Sequence, residues 1–191
     1  MKTVCVYCGS SDQVGAKYLQ AAEQIGTTMA EQSLQLVFGG GSTGLMGRVA
    51  NAVLAGGGEV IGVLPHHFNK PELAHNGLTR LELVEDMHQR KARMIELSDA
   101  FVALPGGLGT LEEVFEVLAW AQIGLHRKPV GLLNVDGYFD GLLLFLEHAN
   151  HEGFTYKEHQ QLYMHSADPA ALLAALEKFE TPAGLERWLE R

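Results

Sequence analysis

Three times along this chain a short apolar run stops at a cluster of glycines, and a stretch with helical spacing follows. Thr3-Val4-Cys5-Val6-Tyr7-Cys8 runs into Gly9-Ser10-Ser11-Asp12, and Leu36-Val37-Phe38 runs into Gly39-Gly40-Gly41-Ser42-Thr43-Gly44. Ala100-Phe101-Val102-Ala103-Leu104 runs into Pro105-Gly106-Gly107-Leu108-Gly109-Thr110, ahead of a helical pattern reaching about Gly124. Strands that alternate with helices predict a parallel sheet with helices on both faces. In such a sheet every strand-to-helix turn falls on one edge. Ligands bind there, at the carboxyl ends of strands beside the point where the strand order reverses. The expected fold is therefore α/β: a Rossmann-like, doubly wound parallel sheet forming a single nucleotide-binding domain over residues 1–191.

The remaining segments fit the same alternation. Strands are expected at Glu59–Leu64, Leu81–Val84, Val130–Asn134 and Gln161–His165. Helices are expected at Gly15–Gln32, Leu45–Ala55, Met87–Leu97, Phe139–His151 and Pro169–Lys178, with a short terminal helix within Thr181–Arg191. Pro65 to Arg80 has no clear period and reads as a loop able to lie over a site. The chain has 191 residues, a formal charge of −9 and no basic block, which argues against a nucleic-acid polymer or an acidic membrane as partner. No apolar run reaches membrane-spanning length, and the start lacks a signal-peptide layout, so a cytoplasmic protein is expected. Cys5 and Cys8 have C-x-x-C spacing. On one strand, however, residues three apart face opposite ways, so neither a redox motif nor a zinc site is expected. The histidines show no metal-ligand spacing, and no metal or cofactor is expected.

The turn before the long helix carries the clearest chemistry. Its glycines let backbone N–H groups approach a ligand, and a helix start favours an anion such as phosphate. Thr110-x-x-Glu113 can equally be a capping box, with Thr110 as N-cap and both Glu112 and Glu113 in the first turn. Gly39-x-Gly41-x-x-Gly44 fits the dinucleotide fingerprint. The acid that should end the next strand and hold a ribose is missing, because Glu59 begins that strand, so a phosphate- or ribose-facing loop is expected and not an NAD site. Within Met87–Leu97, a wheel at ~100° per residue puts Met87, Met94, Ile95 and Leu97 inward, with Arg90 and Lys91 on the same side. Either their stems cover apolar surface while the charges reach water, or they face an anionic ligand. On the long helix, Leu111, Val114, Phe115 and Leu118 read as one apolar stripe, with Glu113, Val117 and Trp120 opposite. Two apolar faces point to a second subunit covering one of them, with the site beside the interface.

Pro105-Gly106-Gly107-Leu108-Gly109-Thr110-Leu111-Glu112-Glu113 resembles the PGGxGTxxE motif of the Lonely Guy (LOG) family. Gly40-Gly41-Ser42-Thr43-Gly44-Leu45-Met46-Gly47 and Met87-His88-Gln89-Arg90-Lys91 are also similar to that family, as are Trp120–Gly124 and Lys128–Asn134. The resemblance implies a dimeric cytokinin riboside 5′-monophosphate phosphoribohydrolase that also accepts AMP, releasing free base and ribose 5-phosphate. Such proteins are often labelled lysine decarboxylases, but no cofactor lysine stands out here. By position, the resemblance implies Arg90 and Glu113 as the catalytic pair. It implies Glu72, Arg90, Lys91, Gly107, Leu108, Gly109, Thr110, Leu111, Glu112 and Glu113 as substrate-binding residues. Gly9, Ser10, Gly40, Gly41 and Ser42 are candidates for further nucleotide contacts. Ala119 stands where plant members often have Thr. The rival from another class is a non-catalytic nucleotide or molybdenum-cofactor carrier, which needs the glycine loops but not Arg90 with Glu113.

Overall fold

The computed structural model describes residues 1–185; residues 186–191, which include most of the expected terminal helix, lie outside the described residues. Strands are β1 (Thr3–Tyr7), β2 (Gln35–Phe38), β3 (Val60–Pro65), β4 (Arg80–Val84), β5 (Ala100–Ala103), β6 (Val130–Leu133) and β7 (Tyr163–Ser166). Helices are α1 (Ala16–Glu31), α2 (Gly44–Ala55), α3 (Met87–Leu97), α4 (Leu108–Gln122), α5 (Asp140–His151) and α6 (Pro169–Glu177). Every expected element within the described residues is present, with ends shifted by a residue or two.

The described strands form one sheet in the order β4-β3-β2-β1-β5-β6-β7, and each pairing is parallel. The chain builds outward from β1 through β4, then returns to β1's other side at β5. The order therefore reverses between β1 and β5, the switch point beside which ligands bind in sheets of this kind. β1, β2 and β5 are apolar on both faces because both faces are covered. Val4, Val6, Leu36 and Phe38 pack under α1, α2 and α6. Cys5, Tyr7, Val37 and Phe101 pack under α3 and α4. Cys5 and Cys8 thus sit on opposite faces, both buried and unbridged, and burial pushes both thiols well above their ordinary value. Among the described residues, no helix is long and apolar enough to cross a membrane.

Two readings of helix faces need correction. Glu113, Val114, Val117, Leu118 and Ala121 share the buried side of α4, whereas Phe115 is 38 % exposed. Residues 113 and 117 lie ~40° apart on the wheel, as do 114 and 118, so the two supposed stripes merge into one broad face. Met87, expected inward, is 40 % exposed. It is the first residue of α3, just beyond the N-cap Asp86, whose side chain accepts from Gln89 N–H.

Candidate active site

The loops that follow β1, β2 and β5 are laced together at the carboxyl edge. Gly9 N–H donates to Pro105 O at 3.1 Å, and Leu45 N–H donates to Gly9 O at 3.0 Å. Gly44 N–H donates to Asp12 Oδ1, and Thr43 Oγ1 donates to Ser10 O. The Pro65–Arg80 segment closes over the β2 loop. Ser42 N–H donates to Leu73 O, His75 N–H donates to Gly40 O, and Gly41 bridges to Ala74. Glu72 is exposed on that segment, next to Leu73.

α4 starts earlier than the capping-box reading requires. Gly107 is the N-cap, with no side-chain cap, and no acidic residue falls in the first turn. The first helical bond runs from Leu111 N–H to Gly107 O. The amides of Leu108, Gly109 and Thr110 therefore have no helical carbonyl to reach, as at any helix start. Gly107 and Gly109 are exposed, and a Cβ on either would touch nothing within 4 Å, so this backbone stands open. Thr110 is buried instead of capping. A Cβ on Gly106 would fall 2.1 Å from Thr110 Oγ1 and 2.8 Å from Gly9 N, so only glycine fits between these loops.

Released from capping, Glu113 turns into the sheet edge. Arg90 Nη1 donates to Glu113 Oε1 at 2.8 Å; the two side chains are only 13 % and 11 % exposed. Arg90 is fixed from several sides. Its Nε–H donates to Val63 O at 3.1 Å, at the end of β3, and Nη1 lies 3.3 Å from Met87 Sδ. Its Nη2 lies so close over Gly39 that a Cβ there would come within 1.9 Å. Gly39 therefore makes room for a guanidinium, a reason the dinucleotide fingerprint does not supply. Burial pushes the Glu113 carboxyl above its ordinary 4.5, against the pull of Arg90.

Lys91 faces inward too, but its amine meets Glu112 and, at 3.0 Å, Glu116. Burial alone would lower this amine; the two carboxylates outweigh it and hold Lys91 above its ordinary value. Thus the structure brings together Arg90 with Glu113, Lys91 with Glu112, and Gly9 with the glycine turn. It also recruits groups that motif reading missed: the Val63 carbonyl, Met87 Sδ, Glu116, and Tyr138, whose hydroxyl donates to Gly106 O. Only Met87 gave a sequence signal, by its position on the face of Arg90. Among the described residues, no His, Cys, Asp and Glu cluster could hold a metal ion.

The resulting edge pairs a strip of free amides, suited to an anionic group, with a desolvated carboxylate clamped by a guanidinium. Residues 46–176 match the family model described as possible lysine decarboxylase. The chain is 50 % identical over 181 residues to a probable cytokinin riboside 5′-monophosphate phosphoribohydrolase of Oryza sativa subsp. japonica, covering 95 % of this chain and 74 % of the relative. It is 56 % identical over 154 residues to a cytokinin riboside 5′-monophosphate phosphoribohydrolase of Rhodococcoides fascians, covering 80 % and 78 %. Among solved structures, the molybdenum cofactor carrier protein of Chlamydomonas reinhardtii matches with a TM-score of 0.71 over 93 % of this chain and 96 % of that one. Its identity is 22 %, so that likeness speaks for the fold alone.

Proposed function

This chain belongs to the LOG-type cytokinin riboside 5′-monophosphate phosphoribohydrolases within the possible lysine decarboxylase family, and we propose that it hydrolyses the N-glycosidic bond of nucleoside 5′-monophosphates at the Arg90–Glu113 edge. The substrates are cytokinin riboside 5′-monophosphates and AMP, and the products are free base and ribose 5-phosphate. The observation that carries this reading is the buried Arg90–Glu113 pair beside the open amides of α4.

The amides from Gly107 to Thr110 hold the 5′-phosphate, aided by Gly9, Ser10 and the Gly40–Ser42 loop, while Glu72 and Glu112 border the ribose. As the bond between ribose C1′ and the base nitrogen breaks, its electron pair leaves with the base and positive charge grows on the ribose, as in glycoside hydrolysis. The Glu113 carboxylate stabilises that charge and takes a proton from the attacking water, whose oxygen bonds C1′. The departing base takes up one proton from solvent and Glu113 afterwards releases the one it took from water, so one water is consumed overall. Arg90 positions Glu113 and favours its ionised form against the effect of burial. Lys91, the lysine paired with Glu112 and Glu116, is held above its ordinary value and so is not poised as the easily deprotonated amine that a Schiff base needs.

The chain acts as a homodimer in the cytosol, a compartment suited to its two unbridged thiols. α5 has no buried residue despite its Leu142–Leu146 run; Leu144 is exposed, and the exposed Phe145 and Phe115 line the groove between α4 and α5. A second copy would cover that face.

Incubating purified protein with AMP and with N6-isopentenyl-AMP tests the assignment. Equal molar release of base and ribose 5-phosphate is expected. Nucleotide that binds and is recovered intact would favour a carrier instead.

A further inference from the structure

We infer that Tyr138 is a positioning residue for the phosphate cradle, a role that rests on the nucleotide-hydrolase reading above. Its hydroxyl donates to Gly106 O at 2.8 Å. A trans peptide unit is planar, and its C=O and N–H point in opposite directions. Holding the Gly106 carbonyl from one side therefore aims the Gly107 N–H on the other. The preceding carbonyl, Pro105 O, is already held by Gly9 N–H at 3.1 Å. Two successive peptide units are thus fixed from two different loops. Without such restraints, glycine backbone is the softest in the chain.

Tyr138 is itself held in place. Its ring meets the Tyr18 ring edge-on at 5.6 Å and the Phe139 ring at 5.2 Å. Phe139 is 1 % exposed, and its N–H donates to Asn134 Oδ1 at 2.7 Å. An exposed ion pair between Lys17 and Asp136 ties the start of α1 to the same turn. Tyr138 remains 44 % exposed, so burial does not explain it. Packing against Tyr18 and Phe139 would be met equally by phenylalanine. Only the hydroxyl reaches the glycine turn.

Tyr138→Phe keeps both ring contacts and removes that hydrogen bond. The KM for AMP should rise roughly 3- to 10-fold, the range expected from one hydrogen bond. The kcat should stay within about twofold, and the thermal midpoint should hold within a few degrees. Calorimetric titration should show ribose 5-phosphate weakened by the same factor, while adenine inhibits as it does the wild type. Unchanged affinity for ribose 5-phosphate overturns the role. So does equal weakening toward adenine and ribose 5-phosphate, or a wild-type protein that binds ribose 5-phosphate no better than ribose. If the wild type releases no base from AMP, the hydrolase reading fails, and the ribose 5-phosphate titration still decides the role of Tyr138.

Discussion

Replacing Arg90 with Met removes the cation beside Glu113 while keeping much of the side-chain bulk. The guanidinium nitrogen lies 2.8 Å from the carboxylate oxygen. With charge centres about 4 Å apart and an effective dielectric constant of about 20, the attraction is about 4 kcal/mol. At about 1.4 kcal/mol per pKa unit this sets an upper bound near 3 units, and opposite charges at such range shift a carboxyl by about 1–3. Burial already pushes Glu113 above 4.5, with Arg90 pulling the other way. Without Arg90 the carboxyl must rise further. If catalysis needs the ionised form, the acid limb of kcat/KM moves up by about 1–3 pH units. The phosphate of AMP also titrates near pH 6, but identically for both proteins, so the difference between profiles carries the result. Stability gives a second readout. A carboxyl whose folded pKa exceeds its unfolded value holds its proton better when folded, so stability falls as pH rises between the two values. Arg90→Met widens that window, and its deficit in urea denaturation should be larger at pH 8 than at pH 5. An acid limb that stays put or moves down, with an equal deficit at both pH values, would refute this reasoning.

Gly39→Ala should still fold, because the atom it displaces is the end of the Arg90 side chain and not backbone. It should raise the acid limb as Arg90→Met does, and the double variant should add little, as expected for two changes acting on one contact. Lys91→Met removes the cation that Glu112 and Glu116 share; with Glu112 more than half exposed, a loss of about 1–2 kcal/mol is expected in denaturant titration. Because Lys91's pKa is raised, the wild-type advantage should hold below pH 10.5 and fade as pH climbs through the raised value. Phe101→Ala, which empties a fully buried position stacked on Tyr7 at 6.0 Å, should cost about 3–5 kcal/mol by the same method.

The alternation of apolar runs and helical spacing made the sheet and its ligand-binding edge legible, because each signal is local. Arg90 and Lys91 stood out for the same reason: two cations on an otherwise apolar helix side need partners. The partners were harder to see. Glu116 and the Val63 carbonyl come from other elements, and no spacing rule links them to α3. The glycine at 39 looked like part of a phosphate turn, yet its local cause is an arginine from α3 that meets it only in three dimensions. The start of α4 was misjudged because Thr110 with Glu113 satisfies a capping pattern. In the fold, Gly107 begins the helix and frees both side chains for tertiary contacts. Tyr138 gave no signal at all, since its contact depends on how the β6–α5 turn is folded.

Glu113→Gln keeps the side chain's shape and one acceptor toward Arg90 but removes the charge. The decisive measurement is single-turnover release of base from AMP by this variant, alongside its affinity for AMP. Loss of about 100-fold or more in rate, with AMP still bound within severalfold of wild type, is the outcome expected of a carboxylate facing the sugar. Hydrolysis at the wild-type rate would mean that the Arg90–Glu113 pair only braces the fold.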